Sequence, residues 1–514
     1  LFKAVFPLFD SLGSKVSDDL YLLSVIRFVA TGVLLLPPTA LMGATFPILA
    51  RYSLLNWPDR GRGPGLLYGF NTLGAFLGTL AAGFIFLPRL GLVGTILLGG
   101  GCNLALGIVA FCVGRQIERG REAEATSSGP ENATTATQKG SHVPVLAAVA
   151  LTGFAGMVCE VGWTRVLTLV LGASVYAFTI MLSTFLAGLG LGAAIVAACL
   201  KGVSLPRARG LFYGLAVASA ASVCLSMAGF AHLPELFWRL FWEWNLLKNP
   251  GHILRIEFVM AGLVMALPTL LMGGLFPAAV RLVVEEAGQA GRRVAGVYAW
   301  NTAGAILGSF TAGFLLIPIL GIRGTLLAAS ACQAAAAMAI ALGSAARLRN
   351  LFLAGVAASV PVLAVLWMPP WQRQVMTCGM YHYAKSYRGI SPGGLKATLE
   401  ADEEIFFYRD GLTATVTVGR TRSAARDDIY ISVNGKIDGS SYYDMPTQRL
   451  SAHIPILFHS RPEEVCIVGL GTGCTAGSAA LHPVRRVTVV EIEAAMVEGA
   501  RTIGCTTTRR WTSA

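Results

Sequence analysis

The chain has 514 residues, 54% of them hydrophobic and 13% charged, at a mean hydropathy of +0.62. Soluble domains carry about 25% charged residues, so a wholly water-facing protein is excluded, and the length excludes a single core. The net charge of +12 does not mark a nucleic-acid binder, because the basic residues stand at the ends of apolar stretches, where they orient membrane helices.

Apolar runs able to cross a bilayer, about 20 residues each, are expected near 20–50, 64–88, 91–113, 143–161, 172–200, 208–230, 256–283, 293–318, 322–343 and 349–369, about ten spans in all. The stretch 114–142 is polar, rich in Ser, Thr and Glu and without periodicity, and reads as a disordered linker. Its Asn132-Ala133-Thr134 triplet has the form of a glycosylation sequon. Between Leu233 and Trp244, Trp238 and Trp242 alternate with Arg239 and Glu243, which predicts an interfacial amphipathic helix, since indole rings favour the headgroup region. The ten cysteines are scattered singly, with no CxxC or Cys/His spacing, so neither a disulfide framework nor a metal site is expected.

The spans repeat. Pro38-Thr39-Ala40-Leu41-Met42-Gly43 matches Pro268-Thr269-Leu270-Leu271-Met272-Gly273, a separation of 230 residues (268 − 38). The same separation pairs Phe46-Pro47 with Phe276-Pro277, Tyr68 with Tyr298, Asn71-Thr72 with Asn301-Thr302, Gly83-Phe84 with Gly313-Phe314, and Gly91 with Gly321. One period holds six expected spans, and an even number returns the chain to the same side, giving parallel halves as in major facilitator transporters. Leu1 then aligns with Ala231, so the first half is expected to lack a counterpart of 143–230, about three helices.

Within the spans three polar residues stand out. Asn71 and Asn301 can bond across helices or line a polar cavity. Glu160 is an intramembrane carboxylate, a functional candidate by default, although Trp163 puts an interface a turn away and Arg165 is close enough in sequence to pair with it.

After about Pro370 the pattern changes. Thr413–Gly419 and Ile429–Asn434 alternate as strands do, with Asn434-Gly435 as a turn, and Thr447–Leu457 reads as a helix. A buried strand, Glu464–Val468, runs into Gly469-Leu470-Gly471-Thr472-Gly473, and a second, Arg486–Val490, ends in Glu491-Ile492-Glu493. Glycines after a first strand let the backbone approach a ligand, and an acid 20 positions past Gly471 can accept both hydroxyls of a ribose. The pattern alone admits either a dinucleotide or an S-adenosyl-type ligand.

Asn434-Gly435-Lys436-Ile437-Asp438 followed by Asp444-Met445-Pro446-Thr447-Gln448-Arg449-Leu450-Ser451-Ala452-His453 resembles the spermidine synthase (polyamine aminopropyltransferase) family over roughly 405–500. With the duplicated bundle, and with Trp163-Thr164-Arg165 followed by Leu171-Gly172-Ala173-Ser174, the chain looks like the membrane-fused spermidine-synthase-like group. The resemblance implies a Rossmann-like methyltransferase-type domain behind a small β subdomain. It implies that Gly469, Gly471, Thr472 and Gly473 shape the loop against decarboxylated S-adenosylmethionine, that Glu491 holds its ribose, and that Asp444, Gln448 and His453 face the substrate cleft. The implied reaction is aminopropyl transfer to a polyamine such as putrescine, with no metal. A homodimer through the soluble domain is compatible with it.

Three positions depart from the family. Thr472 stands where the family has an aspartate, Thr447 where it has a tyrosine, and its β-domain glutamine has no match near Leu412. S-adenosylmethionine itself is therefore an open alternative as donor. After Arg501 the pattern gives way to an aberrant tail, 502–514. The family's catalytic aspartate has no counterpart, so no residue is assigned as general base and the chain is expected to be catalytically incompetent.

The expected plan is an α-helical transmembrane bundle with parallel 6+6-like repeats, followed by the α/β domain. It comprises a first repeat 1–113, a linker 114–142, a second repeat 143–345, a further span 346–370, and the soluble domain 371–514, in a multi-pass plasma- or inner-membrane protein whose partners are the lipid bilayer and a polyamine. A transporter-like bundle carrying a nucleoside-binding regulatory domain is the alternative. One conflict stands: the Arg-rich loops all fall on one side, so a crossing at 349–369 would put the soluble domain on the other side, away from cytosolic adenosyl donors.

Overall fold

The computed structural model describes residues 20–56, 62–124, 142–249, 251–284, 290–343, 347–390, 393–422 and 428–503. The Asn132 triplet, most of the expected linker and the tail beyond Ile503 lie outside these residues. The chain is mostly helical, with several long apolar helices and a small C-terminal sheet region.

The bundle begins with α1 (Leu20–Asn56), α2 (Arg62–Ala81), a π-helical turn (Ala82–Phe86) and α3 (Leu87–Glu124). It continues with α4 (Val143–Leu171), α5 (Val175–Cys199), α6 (Leu205–Phe230), the short α7 (Leu233–Glu243), α8 (His252–Val283) and α9 (Ala290–Thr311). A second π-helical turn (Ala312–Leu316), α10 (Ile317–Leu342) and α11 (Arg347–Trp367) complete it. Among the described residues, eight helical stretches are long and apolar enough to cross a membrane, which is compatible with a multi-pass membrane protein.

Two of those stretches, Gly63–Arg115 and Gly291–Leu342, run to 53 and 52 residues, which at about 1.5 Å per residue far exceeds one bilayer. Each is broken by a glycine at positive φ, Gly91 (φ 67°) and Gly321 (φ 70°), a conformation that side chains with a Cβ resist. The second stretch doubles back there. Gly304 and Gly308 of α9 lie against the carbonyls of Ala150 and Phe154, so α9 runs parallel to α4; Leu326 of α10 meets Gly162 and Gly343 meets Pro144, so α10 runs antiparallel to it. The two π-helical turns are again 230 residues apart (312 − 82), as are the two glycine breaks.

Packing in the second half is pairwise. Helix α4 lies against α9 and α10, α8 lies against α5 and α6, and α6 lies against α10. Gly192 faces the Leu270 carbonyl and Gly273 faces the Leu189 carbonyl, a reciprocal close approach of α5 and α8, as expected where packing rather than hydrophobicity drives association. Phe46 and Tyr68 meet Phe276 and Tyr298 in a four-ring cluster, with Tyr68 stacked on Phe276 at 4.3 Å and Phe46 tilted against Tyr298 at 4.9 Å.

After α11 come short helices α12 (Arg373–Met376), α13 (Met380–Tyr383) and α14 (Leu395–Asp402), then strands β1 (Glu403–Asp410), β2 (Thr415–Thr421), β3 (Asp428–Val433) and β4 (Lys436–Ser440). These strands form an antiparallel meander in the order β1-β2-β3-β4. Asn434 (φ 50°) and Gly435 (φ 81°) make the tight β3–β4 turn. Helix α15 (Met445–Phe458) leads to β5 (Glu464–Val468), α16 (Cys474–Ala479), β6 (Arg486–Val490) and α17 (Ala494–Ile503). Strands β5 and β6 pair in parallel, but β5 is not the buried strand expected: Val465 and Ile467 pack on α15 and α16, whereas Cys466 and Val468 on the other face are exposed, because only one face of the pair is covered. Helix α17 packs on the meander through Ala495, Met496 and Ile503 beside Val416, Val418 and Ile431.

The expected interfacial helix is α7, and its apolar face is spent on protein. Phe237, Trp238 and Phe241 are buried, Trp238 Nε1 donates to the Tyr387 carbonyl, and Glu235 accepts from the Gly393 amide. It joins the bundle to the segment that leads into the soluble unit.

Candidate nucleoside-type site

The glycine loop lies where the sequence puts it, between β5 and α16. Gly469, Gly471 and Gly473 have φ of 91°, 55° and 84°, so all three need the freedom of glycine. Glu491, at the end of β6, closes the loop from the neighbouring strand. Its Oε2 accepts from the Leu470 amide at 2.7 Å and its Oε1 from the Glu493 amide at 2.9 Å. A carboxylate oxygen has a second lone pair, so each can still accept a hydroxyl.

Gln448 and Thr472 join the loop to α15. Thr472, 3% exposed, donates its hydroxyl to Gln448 Oε1, and Gln448 Nε2 donates to the Ser440 carbonyl at 2.9 Å. Thr475 Oγ1 donates to the Gln448 carbonyl at 3.0 Å. The absence of a side chain at Gly439 admits both residues, since a Cβ there would meet Thr472 Cγ2 and the Gln448 amide. Asp444, at the start of α15, is tied in through its backbone amide, which donates to Ser440 Oγ.

His453 lies elsewhere. Its Nδ1 is 2.7 Å from Nε2 of His482, beyond the C-terminal end of α16, away from the glycine loop at its N-terminal end. In the bundle, Asn71 is exposed and Asn301 half-buried, with the Asn301 carbonyl against Gly153. Glu160 is half-buried, and Arg165 spends both terminal nitrogens on the Leu412 and Gly411 carbonyls, at 2.8 and 2.9 Å.

Glu493 is a residue that the sequence pattern does not single out, although it stands in the same Glu-Ile-Glu run as Glu491. It is 5% exposed, and its Oε2 accepts from the Thr413 amide and hydroxyl and the Ala414 amide. Burial alone would raise its carboxyl, but the Thr413 donors with the Ala495 and Ala414 amides outweigh that and hold it below the usual range. The site is thus linked through Glu493 to the 410–414 turn, whose other side touches the bundle.

No group of three or more His, Cys, Asp or Glu residues able to hold a metal occurs among the described residues. Compared with protein-family models, curated proteins and solved structures, the chain matches none.

Proposed function

We propose that this is a membrane-bound, spermidine-synthase-like protein whose C-terminal unit binds an adenosyl donor between the glycine loop and Glu491. The carrying observation is that Glu491 accepts from the Leu470 amide of the loop through one oxygen and from the Glu493 amide through the other, which fixes an acceptor pair where a ribose would stand beside backbone that a donor can approach closely. The unit is read as a Rossmann-like domain of which β5-α16-β6 is the nucleoside half.

On this reading the reaction is aminopropyl transfer from decarboxylated S-adenosylmethionine. The lone pair of a neutral polyamine nitrogen attacks the aminopropyl carbon beside the sulfonium. A C–N bond forms, the C–S bond breaks, the electron pair returns to sulfur as a neutral thioether, and the new ammonium must give its proton to a base; no described residue is assigned that role, so donor binding rather than turnover is what this chain is read to retain. Gln448 orients the acceptor side, held in place by Thr472 and Ser440.

The bundle is read as major-facilitator-like, with parallel halves. Support comes from the 230-residue recurrence of the π-helical turns, the glycine breaks and the paired rings Phe46/Phe276 and Tyr68/Tyr298. A second reading, a transporter-like bundle regulated by a nucleoside-binding domain, is favoured by the contacts that Arg165 and the Ile322 amide make with the 410–414 turn.

The test uses the full chain in lipid nanodiscs, titrated with decarboxylated and intact S-adenosylmethionine, assayed for transfer to putrescine, and reconstituted in vesicles for polyamine uptake. Donor binding that Glu491→Ala abolishes supports the site. Uptake with neither donor binding nor transfer overturns the first reading.

A further inference from the structure

The basic loops and the soluble unit are on opposite ends of the bundle. At one end, the Lys201–Arg209 segment joins α5 to α6, Arg281, Arg292 and Arg293 flank the α8–α9 connection, and Arg347 and Arg349 open α11. Arg51 and Arg62 flank the α1–α2 connection, and Arg115, Arg119 and Arg121 lie at the end of α3. Contacts place the second-half termini together: Arg281 donates to the Val203 carbonyl, and Gly343 meets Pro144.

The other end carries the soluble unit. Arg165, near the C-terminal end of α4, holds Gly411 and Leu412. Gly172, just past α4, abuts Tyr381, Trp371 Nε1 donates to the Met227 carbonyl near the end of α6, and Asp410 meets the amide of Ile322 at the start of α10. The connections at this end are poorer in cations. Gly172-Ala173-Ser174 has none, Arg239 is paired with Glu235 at 2.6 Å, and Arg323 donates to the Met368 carbonyl. Arg89 before the first glycine break, and Lys248 and Arg255 around the α7–α8 connection, are outnumbered by the cations of the opposite end.

Helix α11 spans the distance between the ends. Near its start the Leu353 carbonyl accepts from Tyr213 of α6 at 2.8 Å, and just past its end Met368 meets Arg323 of α10. Its Leu351, Phe352, Val365, Leu366 and Trp367 are exposed, as a lipid-facing surface would be. The segment runs from one end of the bundle to the other.

Lys and Arg accumulate in the cytoplasmic loops of membrane proteins, and the bias is carried by short loops. We infer that the soluble unit, with the Gly469–Glu491 site, stands on the extracytoplasmic face, so that its ligand is a ribose-bearing solute supplied from outside the cytoplasm. The ligand class rests on the reading of the site above; the side does not. The placement bears on the second functional reading, because a domain outside can report an external solute to the bundle through Arg165 and Asp410.

The experiment labels the full chain in intact cells with a membrane-impermeant maleimide, in a background with the native cysteines replaced. One variant carries Ala397→Cys on the exposed surface of α14, the other Ser204→Cys at the exposed start of α6. Residue 397 is expected to label in intact cells and residue 204 only after permeabilisation. Labelling of 397 only after permeabilisation overturns the proposal. If the cysteine replacement prevents folding, a reporter active only outside the cytoplasm, fused after Trp371 of the otherwise unaltered chain, decides: activity supports the proposal and its absence with a complementary cytoplasmic signal overturns it. Neither readout involves ligand, so a failed donor titration leaves this result standing, and the reverse also holds.

Discussion

Asp410, the last residue of β1, accepts a hydrogen bond from the backbone amide of Ile322 at 3.0 Å, one residue beyond the break at Gly321. Its other oxygen takes the Tyr408 and Thr415 hydroxyls at 2.9 and 2.7 Å. A carboxylate that is 8% exposed thus joins the re-entry of α10 to the first strand of the soluble unit. Asp410→Ala strands three donors, each costing about 1–3 kcal/mol when buried and unpaired. The expected outcome is faster proteolysis between Trp367 and Glu403 in the full chain, with the bundle helices still protected. Unchanged cleavage would show that the contact does not hold the unit in place.

Arg165 bridges two successive carbonyls with one planar group. A lysine keeps the charge but not the fork, so Arg165→Lys should loosen the same turn by about 1–2 kcal/mol, and Arg165→Met by more. Hydrogen exchange at 411–414 reads the difference. Equal protection in wild type and Arg165→Met would remove this residue from the interface.

Glu403 is a pH-sensitive group of the β subdomain. Burial raises its carboxyl to about 7, against the opposing hydrogen bonds from Tyr430 and Tyr387. The folded state therefore keeps a proton that the unfolded chain releases near 4.5. Its contribution is complete below that value and is lost as pH rises through about 7, a change of at most about 3 kcal/mol. Thermal melts of wild type should fall from pH 5 to pH 8 relative to Glu403→Gln, which cannot titrate. Parallel profiles for the two would contradict the assignment.

Glu491→Ala removes the acceptor for both Leu470 and Glu493 amides. Donor affinity should drop by about 10-fold or more, roughly 1.4 kcal/mol per factor of ten. Glu491→Gln, which keeps one carbonyl acceptor, should lie between. Isothermal titration of the nanodisc-embedded chain separates the three.

The repeated glycines make an internally controlled comparison. A Cβ at Gly308 would collide with the Phe154 carbonyl, whereas at Gly78, the same register position in the first half, nothing lies within 4 Å. Gly308→Ala should destabilise by about 1–3 kcal/mol, as overpacking does, and Gly78→Ala should be near neutral. Detergent-denaturation midpoints compare them directly, and equal shifts would mean that the two positions are packed alike.

Hydropathy, spacing and the repeat are properties of neighbouring residues, and so the spans, the glycine loop with its acid and the Asn434-Gly435 turn are legible in the amino-acid sequence. Strands β5 and β6 lie on the residues that the apolar runs mark, because a β-branched run between turns writes itself into local sequence; that alternate residues of both stay exposed does not show there. Contacts between segments far apart in the chain do not. Arg165 reads as a partner for Glu160 five residues away, yet the carbonyls it holds lie 246 and 247 residues on. His453 shares a helix with Gln448, but helical phase turns it towards His482. Glu493, two residues past the expected ribose acid, gains its role only where the 410–414 turn is laid against it. The tertiary structure alone also decides that α11 reaches from one end of the bundle to the other and which end carries the soluble unit. Charge along a sequence marks one face of a membrane, while only packing tells which elements reach the other.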